Sequence, residues 1–216
     1  MLRVEDIRVT ISGFIILRRV SLEVPPGALI ALVGRNGAGK TTTLKSIMGI
    51  VDVWGGAIQL DGVNLLQVPA HRRARLGIGY VPEDRRLIGA LTVEDNLWLP
   101  VWASKLEGGT ERLGYIYGKM PEVAELARRR AASLSGGQQK LVALARALMS
   151  GSKLLLLDEP FEGLSPALGA KLAETIRELQ RDGLSVLIAE SDAKRLGVVD
   201  TLYTIERGEI VHGVQG

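Results

Sequence analysis

The sequence contains no cysteine, which excludes disulfide bonds and thiolate-held metals and fits a reducing compartment. It is poor in aromatic residues, at 4%, so the core must be packed from aliphatic side chains. It has two histidines, His71 and His212, in segments with no other sign of chemistry, which reads them as surface residues. No apolar run approaches the ~20 residues that cross a bilayer. The first residues, Met1-Leu2-Arg3-Val4-Glu5-Asp6, carry acidic groups where a secretory leader would be basic and then apolar. A cytoplasmic protein that cannot form a membrane pore by itself is the expectation. No repeat of 20–50 residues is visible, which argues against a solenoid. Charge of either sign is not in large excess: the net charge is +3. Such mild basicity suits a polyphosphate ligand and is a weak argument for nucleic acid. Arg128-Arg129-Arg130 is the densest basic run and reads as a solvated face, so no nucleic-acid partner is expected.

What is present is ordinary globular material: 46% hydrophobic and 24% charged residues over 216 positions, enough for one large α/β domain or two small ones. Around Ala28 to Met48 the pattern sharpens. An apolar run to Val33 leads into Gly34-Arg35-Asn36-Gly37-Ala38-Gly39-Lys40-Thr41-Thr42, and a helix-compatible stretch follows. Gly34 to Thr41 fits G-x-x-x-x-G-K-[ST]. Glycines let successive backbone N–H groups turn inward on a polyphosphate, and the helix N-terminus adds unpaired N–H groups and the positive end of its dipole. In such a loop Lys40 reaches the β- and γ-phosphates and the Thr41 hydroxyl ligates Mg²⁺.

Alternation at Val4 to Ile11 and Val20 to Val24 predicts two half-buried strands. Ala57 to Leu60 and Val63 to Leu66 predict a hairpin bent at Asp61-Gly62. A short basic helix is expected over Pro69 to Ala74 and a buried strand over Ile78 to Val81. Thr92 is placed to cap a helix. From Ala103 to Arg112 periodicity is lost, and Gly108-Gly109-Thr110 suggests an exposed, mobile loop. Helical signal returns over Glu122 to Arg130 and strongly over Gln138 to Met149. Leu154 to Leu157 reads as a strand buried on both faces, as does Ser185 to Ala189, with an amphipathic helix over Lys171 to Arg181 between them. Leu202 to Ile205 and Glu209 to Val211 predict a closing hairpin. Strands alternating with helices argue for a mainly parallel α/β sheet, with Leu91 to Met149 a helical insertion between two of its strands.

A phosphate loop needs a second acidic group for its metal, normally where a buried strand ends. Asp158 stands there, and Glu159 beside it could polarise a water in line with the γ-phosphate. Ser135-Gly136-Gly137 at a helix start is a second phosphate-type nest. One bound nucleotide would not need both, whereas a head-to-tail dimer uses both.

Gly34–Thr41, Leu134-Ser135-Gly136-Gly137-Gln138 and Leu154 to Asp158-Glu159-Pro160, in this order, resemble the ABC-type ATPases, the nucleotide-binding subunits of ABC transporters. The resemblance spans nearly the whole chain, 1–216, as one nucleotide-binding domain. It implies a mainly parallel sheet core with an antiparallel β subdomain and a helical subdomain inserted at about 91–149. It also implies ATP and Mg²⁺, with Thr41, Asp158 and Glu83 at the metal, Glu159 as catalytic base, and Ser135, Gly136, Gly137 and Gln138 acting on the partner's nucleotide. The implied partners are a second ATP-binding subunit and membrane-spanning permease subunits, with a solute-binding protein served indirectly and the chain held on the inner face of the cell membrane.

Val81-Pro82-Glu83-Asp84-Arg85-Arg86, Leu91 to Leu97, Arg146 to Met149, Gly163-Leu164-Ser165-Pro166 and Ile188 to Ala193 are similar to the branched-chain amino-acid and urea importer ATPases. In that group glutamate often replaces the usual glutamine at the place of Glu83. Two positions depart from the wider pattern. Ser191 stands where most relatives carry a switch histidine, and Ser12 where an aromatic stacks on adenine, leaving Phe14 as the nearest ring. The chain is also brief after Val101 and at its C-terminus, which implies no extra regulatory domain. The reading is an ATP-hydrolysing subunit of an importer, with branched-chain amino acids as its cargo. The alternatives are an ABC ATPase of another importer or an exporter, and an ATP-sensing module with weak turnover.

Overall fold

The computed structural model describes residues 1–215. Strand β1 (Leu2–Ile11) turns at Ser12-Gly13, both with positive φ, into β2 (Phe14–Val24). The two strands are antiparallel and bury alternate residues, as their patterning requires. Both run further than the alternation suggested, because β1 pairs on its other edge with β4 and β2 begins with exposed Phe14 and Ile15. Strand β3 (Leu29–Val33) delivers the chain to the glycine loop and helix α1 (Lys40–Met48). β4 (Gly55–Leu60) and the two-residue β5 (Val63–Asn64) form the hairpin at Asp61-Gly62. The second strand stops early because the Asn64 side chain caps a short helical turn at Leu65–Gln67.

Helix α2 (Ala70–Arg73) precedes β6 (Ile78–Val81). Four helices follow before the chain re-enters the sheet: α3 (Val93–Ser104), α4 (Gly109–Lys119), α5 (Pro121–Glu125) and α6 (Gly136–Leu148). Thr92 caps α3 with a full capping box to Asp95. The mobile loop expected over Ala103 to Arg112 is absent. α4 starts at Gly109, where a Cβ would meet the Trp98 ring at 2.6 Å, so glycine there lets α4 pack close against α3. Arg112 then donates to the Leu148 and Gly151 carbonyls at 2.8 and 2.6 Å, capping the end of α6. Three glycines and a polar face hid a helix held by its neighbours. The expected helix over Glu122 to Arg130 is also shorter, because α5 ends at Glu125 in a series of tight turns that leave Arg128, Arg129 and Arg130 exposed.

Strand β7 (Leu154–Asp158), helix α7 (Pro166–Arg181), β8 (Ser185–Glu190), β9 (Thr201–Glu206) and β10 (Glu209–Gln215) complete the chain. The strand order is β5-β4-β1-β2-β10-β9-β3-β8-β7-β6. From β9 through β6 all neighbours are parallel, while β5-β4-β1-β2 is antiparallel. β10 joins the two parts, antiparallel to β9 and parallel to β2 at Glu209–Arg19. The central parallel strands β3, β7 and β8 are apolar between their ends because each face of the sheet has its own core. Leu154 and Leu156 face a core with α1 and the β1–β2 ribbon, whereas Leu155 and Leu157 face α6 and α7. β6 and β7 are adjacent and parallel, so the four helices between them leave at the C-terminal edge of the sheet and return to its opposite edge one strand over. The ends of β3, β7 and β8 therefore stand side by side, and the chemistry collects there.

Candidate functional site

The glycine loop adopts backbone that only glycine takes without strain. Gly37 and Gly39 have φ of +79° and +115°, and a Cβ on Gly39 would sit 2.6 Å from Leu17. Gly34 is fixed by crowding, since a Cβ there would lie 2.4 Å from the Ile205 carbonyl oxygen. α1 begins at Lys40 with no acidic residue in its first turn, so its free N–H groups face the loop uncompensated.

Lys40 is buried at 5% exposure, its Nζ donating to the Gly34 carbonyl at 2.8 Å and lying 3.1 Å from Glu159 Oε1. Thr41 Oγ1 donates to Asp158 Oδ1 at 3.0 Å, and Tyr80 donates to the other oxygen, Oδ2, at 3.3 Å. Burial raises the Asp158 carboxyl above its ordinary value, with Glu83 and Glu159 pushing the same way and Thr41 and Tyr80 opposing. A hydroxyl and an ionisable carboxylate meeting at the end of an apolar strand are the hard oxygen donors that Mg²⁺ takes, with room for phosphate and water beside them.

Glu159 leaves the strand in the left-handed region, φ +48°, so its carboxylate turns back toward the glycine loop. It accepts from the Ser191 N–H at 3.2 Å and from Ser191 Oγ. Ser191 Oγ is also 3.0 Å from Asn36 Oδ1 and accepts from Lys40 Nζ at 3.3 Å, so its one proton is shared between two acceptors. Burial lifts the Glu159 carboxyl, and the hydrogen bonds from Ser191 and Lys40, with the Lys40 charge, outweigh it, leaving the group below its ordinary value. It is therefore an anion at neutral pH, as a base must be.

One cleft, about 920 Å³, gathers these groups. Lys40, Thr41, Glu83, Glu159 and Ser191 line its polar end, while Ile11, Phe14 and Ile16 line the other. Phe14 is 73% exposed, so it is a cleft wall and not a core residue. Asn36, Gly37, Gly39 and Thr42 lie along the cleft; Gly34, Arg35 and Ala38 shape the loop behind them, Ala38 donating to the Arg35 carbonyl. Ser135, Gly136, Gly137 and Gln138 are not among the lining residues. They form the capped N-terminus of α6, with Ser135 and Gln138 in a capping box, and stand free to face something else.

Two buried groups escaped the sequence. Glu190, at the end of β8, is 0% exposed, accepts from the Phe161 N–H at 3.0 Å and leaves its second oxygen without a partner. Burial pushes it up to about 7, against the Phe161 N–H, and its contact with the Glu159 carboxylate pushes the same way as burial. Because the native state keeps this proton while the unfolded chain loses it, Glu190 subtracts stability as pH rises from its ordinary value through about 7. Glu190→Gln lacks that loss, so its melting temperature relative to wild type should increase between pH 5 and pH 8. An unchanged or falling difference in thermal melts contradicts this. Lys140, on α6, is the second; its spacing with Leu144 and Ala147 places it on the buried face, the one signal that could have found it.

A parallel sheet whose strand ends present a glycine loop, a lysine, a threonine–aspartate pair and a buried glutamate anion defines a P-loop ATPase. The comparisons are more specific. Residues 17–162 match the ABC transporter family. The high-affinity branched-chain amino acid transport ATP-binding protein BraG of Pseudomonas aeruginosa is 38% identical over 196 residues, covering 90% of this chain and 84% of that protein. The lipopolysaccharide export system ATP-binding protein LptB of Escherichia coli is 35% identical over 206 residues, covering 94% and 86%. The ADP conformation of MJ1267, an ATP-binding cassette of an ABC transporter, superposes with a TM-score of 0.87 at 27% identity, covering 100% of this chain and 91% of that one. The chain belongs to the ABC transporter family and is its nucleotide-binding ATPase subunit.

Proposed function

We propose that this chain hydrolyses ATP to drive an importer of branched-chain amino acids, acting as one 1–216 nucleotide-binding domain with the helical part at about 91–149 inserted in it. The observation that carries the ATP chemistry is the meeting of Thr41, Lys40, Glu159 and Ser191 in one cleft, with Asp158 bonded to Thr41 behind it. The adenine would stack on Phe14. The N–H groups of the loop and Lys40 would hold the β- and γ-phosphates. Thr41 and Asp158, with Glu83 beside them, would hold Mg²⁺, whose charge neutralises the phosphate oxygens. Glu159 takes the proton of the attacking water, and Ser191 keeps its carboxylate aimed. A hydroxyl cannot carry the charge of an imidazolium, so Ser191 orients without adding a cation near the γ-phosphate.

Ser135 to Gln138 lie outside the lining of the chain's own cleft, which supports their capping the nucleotide of a second ATP-binding subunit. ATP then closes the pair and hydrolysis reopens it. The loop from Glu83 to Leu91 would pass that motion to membrane-spanning permease subunits. Ile88 in it is 47% exposed, and buried Asn96 fixes the loop by bonding both the Ile88 N–H and its carbonyl. No helix among the described residues is long and apolar enough to cross a membrane, in keeping with a peripheral subunit on the cytoplasmic face that meets the solute-binding protein only through the permease.

The likeness to BraG favours branched-chain amino acids, and that to LptB favours an export reading. Expression with the permease genes neighbouring its own decides between them. The import reading expects co-purification with two multispan subunits and ATP-dependent uptake of leucine, isoleucine or valine in vesicles. Failure to associate in the presence of ATP, or association without any uptake of these, overturns it.

A further inference from the structure

Lys140 is 6% exposed, and no carboxylate of the described residues lies in salt-bridge range of it. A buried ammonium without an ion-pair partner is costly, and burial pushes it below its ordinary value. Its Nζ donates to the Glu159 carbonyl oxygen at 2.8 Å. Leu144, Leu157 and Leu172 line the same small cavity, as do Glu83 and Asp158.

The bond it makes is to a residue in an unfavourable conformation. A left-handed glutamate is strained against ordinary backbone and persists only where its surroundings over-determine it. Several contacts do so here. The Glu159 N–H donates to the Ala189 carbonyl at 2.9 Å, Ser191 and Lys40 hold the carboxylate, and the carbonyl accepts from the Glu162 N–H at 3.3 Å and from Lys140. The Ala189 and Ser191 contacts come from β8 and the turn after it, Lys40 from the start of α1, and Glu162 from the chain just after Glu159. Only the Lys140 bond comes from α6, about 7.5 Å along the helix from Ser135 at 1.5 Å per residue. The same helix grips the loop after Glu83, where Arg146 donates to the Arg85 and Arg86 carbonyls at 2.6 Å each.

We propose that Lys140 is a positioning residue for the reaction: its ammonium, fixed to the Glu159 carbonyl, holds the left-handed turn that aims the Glu159 carboxylate and ties that aim to the helix bearing Ser135 to Gln138. This rests on the reading of Glu159 as the base. Lys140 does not touch nucleotide, so it acts on kcat through Glu159 and leaves ATP binding alone.

The test is a double-mutant cycle in steady-state ATP hydrolysis by the full chain. Lys140→Met keeps the length of the stem in its apolar surroundings and removes the donor. It should lower kcat by about 10- to 100-fold, the cost of misaiming a catalytic group by a fraction of an ångström to an ångström. KM for ATP should stay within about twofold, since ground-state binding is untouched. Lys140→Arg restores the donor and should recover most of the loss. In a Glu159→Gln background, Lys140→Met should cost less than about twofold, because a residue acting through Glu159 has nothing left to aim. Lys140→Leu, which also lacks a donor, replaces the methionine variant if that one does not melt cooperatively. The proposal is overturned by a wild-type kcat in the methionine variant, by a folded arginine variant as slow as methionine, or by additive losses in the cycle. Failure of the base reading is a separate result, in which Glu159→Gln alone leaves turnover unchanged.

Discussion

Lys40→Met should abolish measurable ATP binding by the isolated chain and lower its thermal stability at the same time. The Lys40 ammonium bonds the glycine loop at the Gly34 carbonyl, and a charge-assisted hydrogen bond to phosphate contributes about 1.5–3 kcal/mol, or roughly 10- to 150-fold in affinity. The loss should exceed that range, because methionine leaves an apolar stem where the β- and γ-phosphates need a donor. The stability effect has its own cause. Lys40 and Glu159 form a buried pair at 3.1 Å, with side-chain exposures of 5% and 11%. Removing one member of such a pair leaves the other charge uncompensated and costs up to about 3–5 kcal/mol. Ser191 still bonds the Glu159 carboxylate, which places the expected cost in the lower part of that range. The linked Lys40→Met/Glu159→Gln chain should regain most of the stability and none of the binding. Titration with a fluorescent ATP analogue and thermal melts read the two effects separately. Binding at wild-type affinity contradicts the assignment of the loop.

The phosphate loop was legible in the sequence because its glycines and lysine serve backbone geometry and charge that no other residue types supply. Asp158 and Glu159 were legible for a similar reason: four leucines followed by two acids have few structural explanations. The order of the strands was not legible. β10 bridges the two halves of the sheet through a single residue pair with β2, and nothing local to Glu209 or Arg19 announces a contact so distant in the chain. α4 was missed because Gly109, Gly114 and Gly118 weaken its propensity, and it exists through packing and the Arg112 cap. Glu190 and Lys140 were missed because a lone charge in an apolar pattern carries no mark of what it will meet. Ser191 was found only as a departure from a family pattern, and its partners, Glu159, Lys40 and Asn36, come from the meeting of three segments.

Glu159→Gln should give the largest fall in turnover of any single substitution that leaves ATP bound. General base catalysis contributes about 10²–10⁴-fold, and glutamine keeps the shape of the group while removing its ability to take a proton. Its amide can still meet Ser191 Oγ, so the cleft should hold its form and ATP should bind as before. With hydrolysis blocked, the ATP-bound state accumulates. A chain that pairs around ATP should then run on size exclusion with light scattering at twice the mass of one chain, 23.3 kDa. The steady rate of phosphate release from Mg²⁺–ATP, wild type against Glu159→Gln at equal ATP occupancy, is the most direct measurement of all. A fall of about 10²–10⁴-fold is predicted for a carboxylate base. Equal rates in the two proteins, whether fast or near zero, would contradict Glu159 as the base and with it the mechanism built on this cleft.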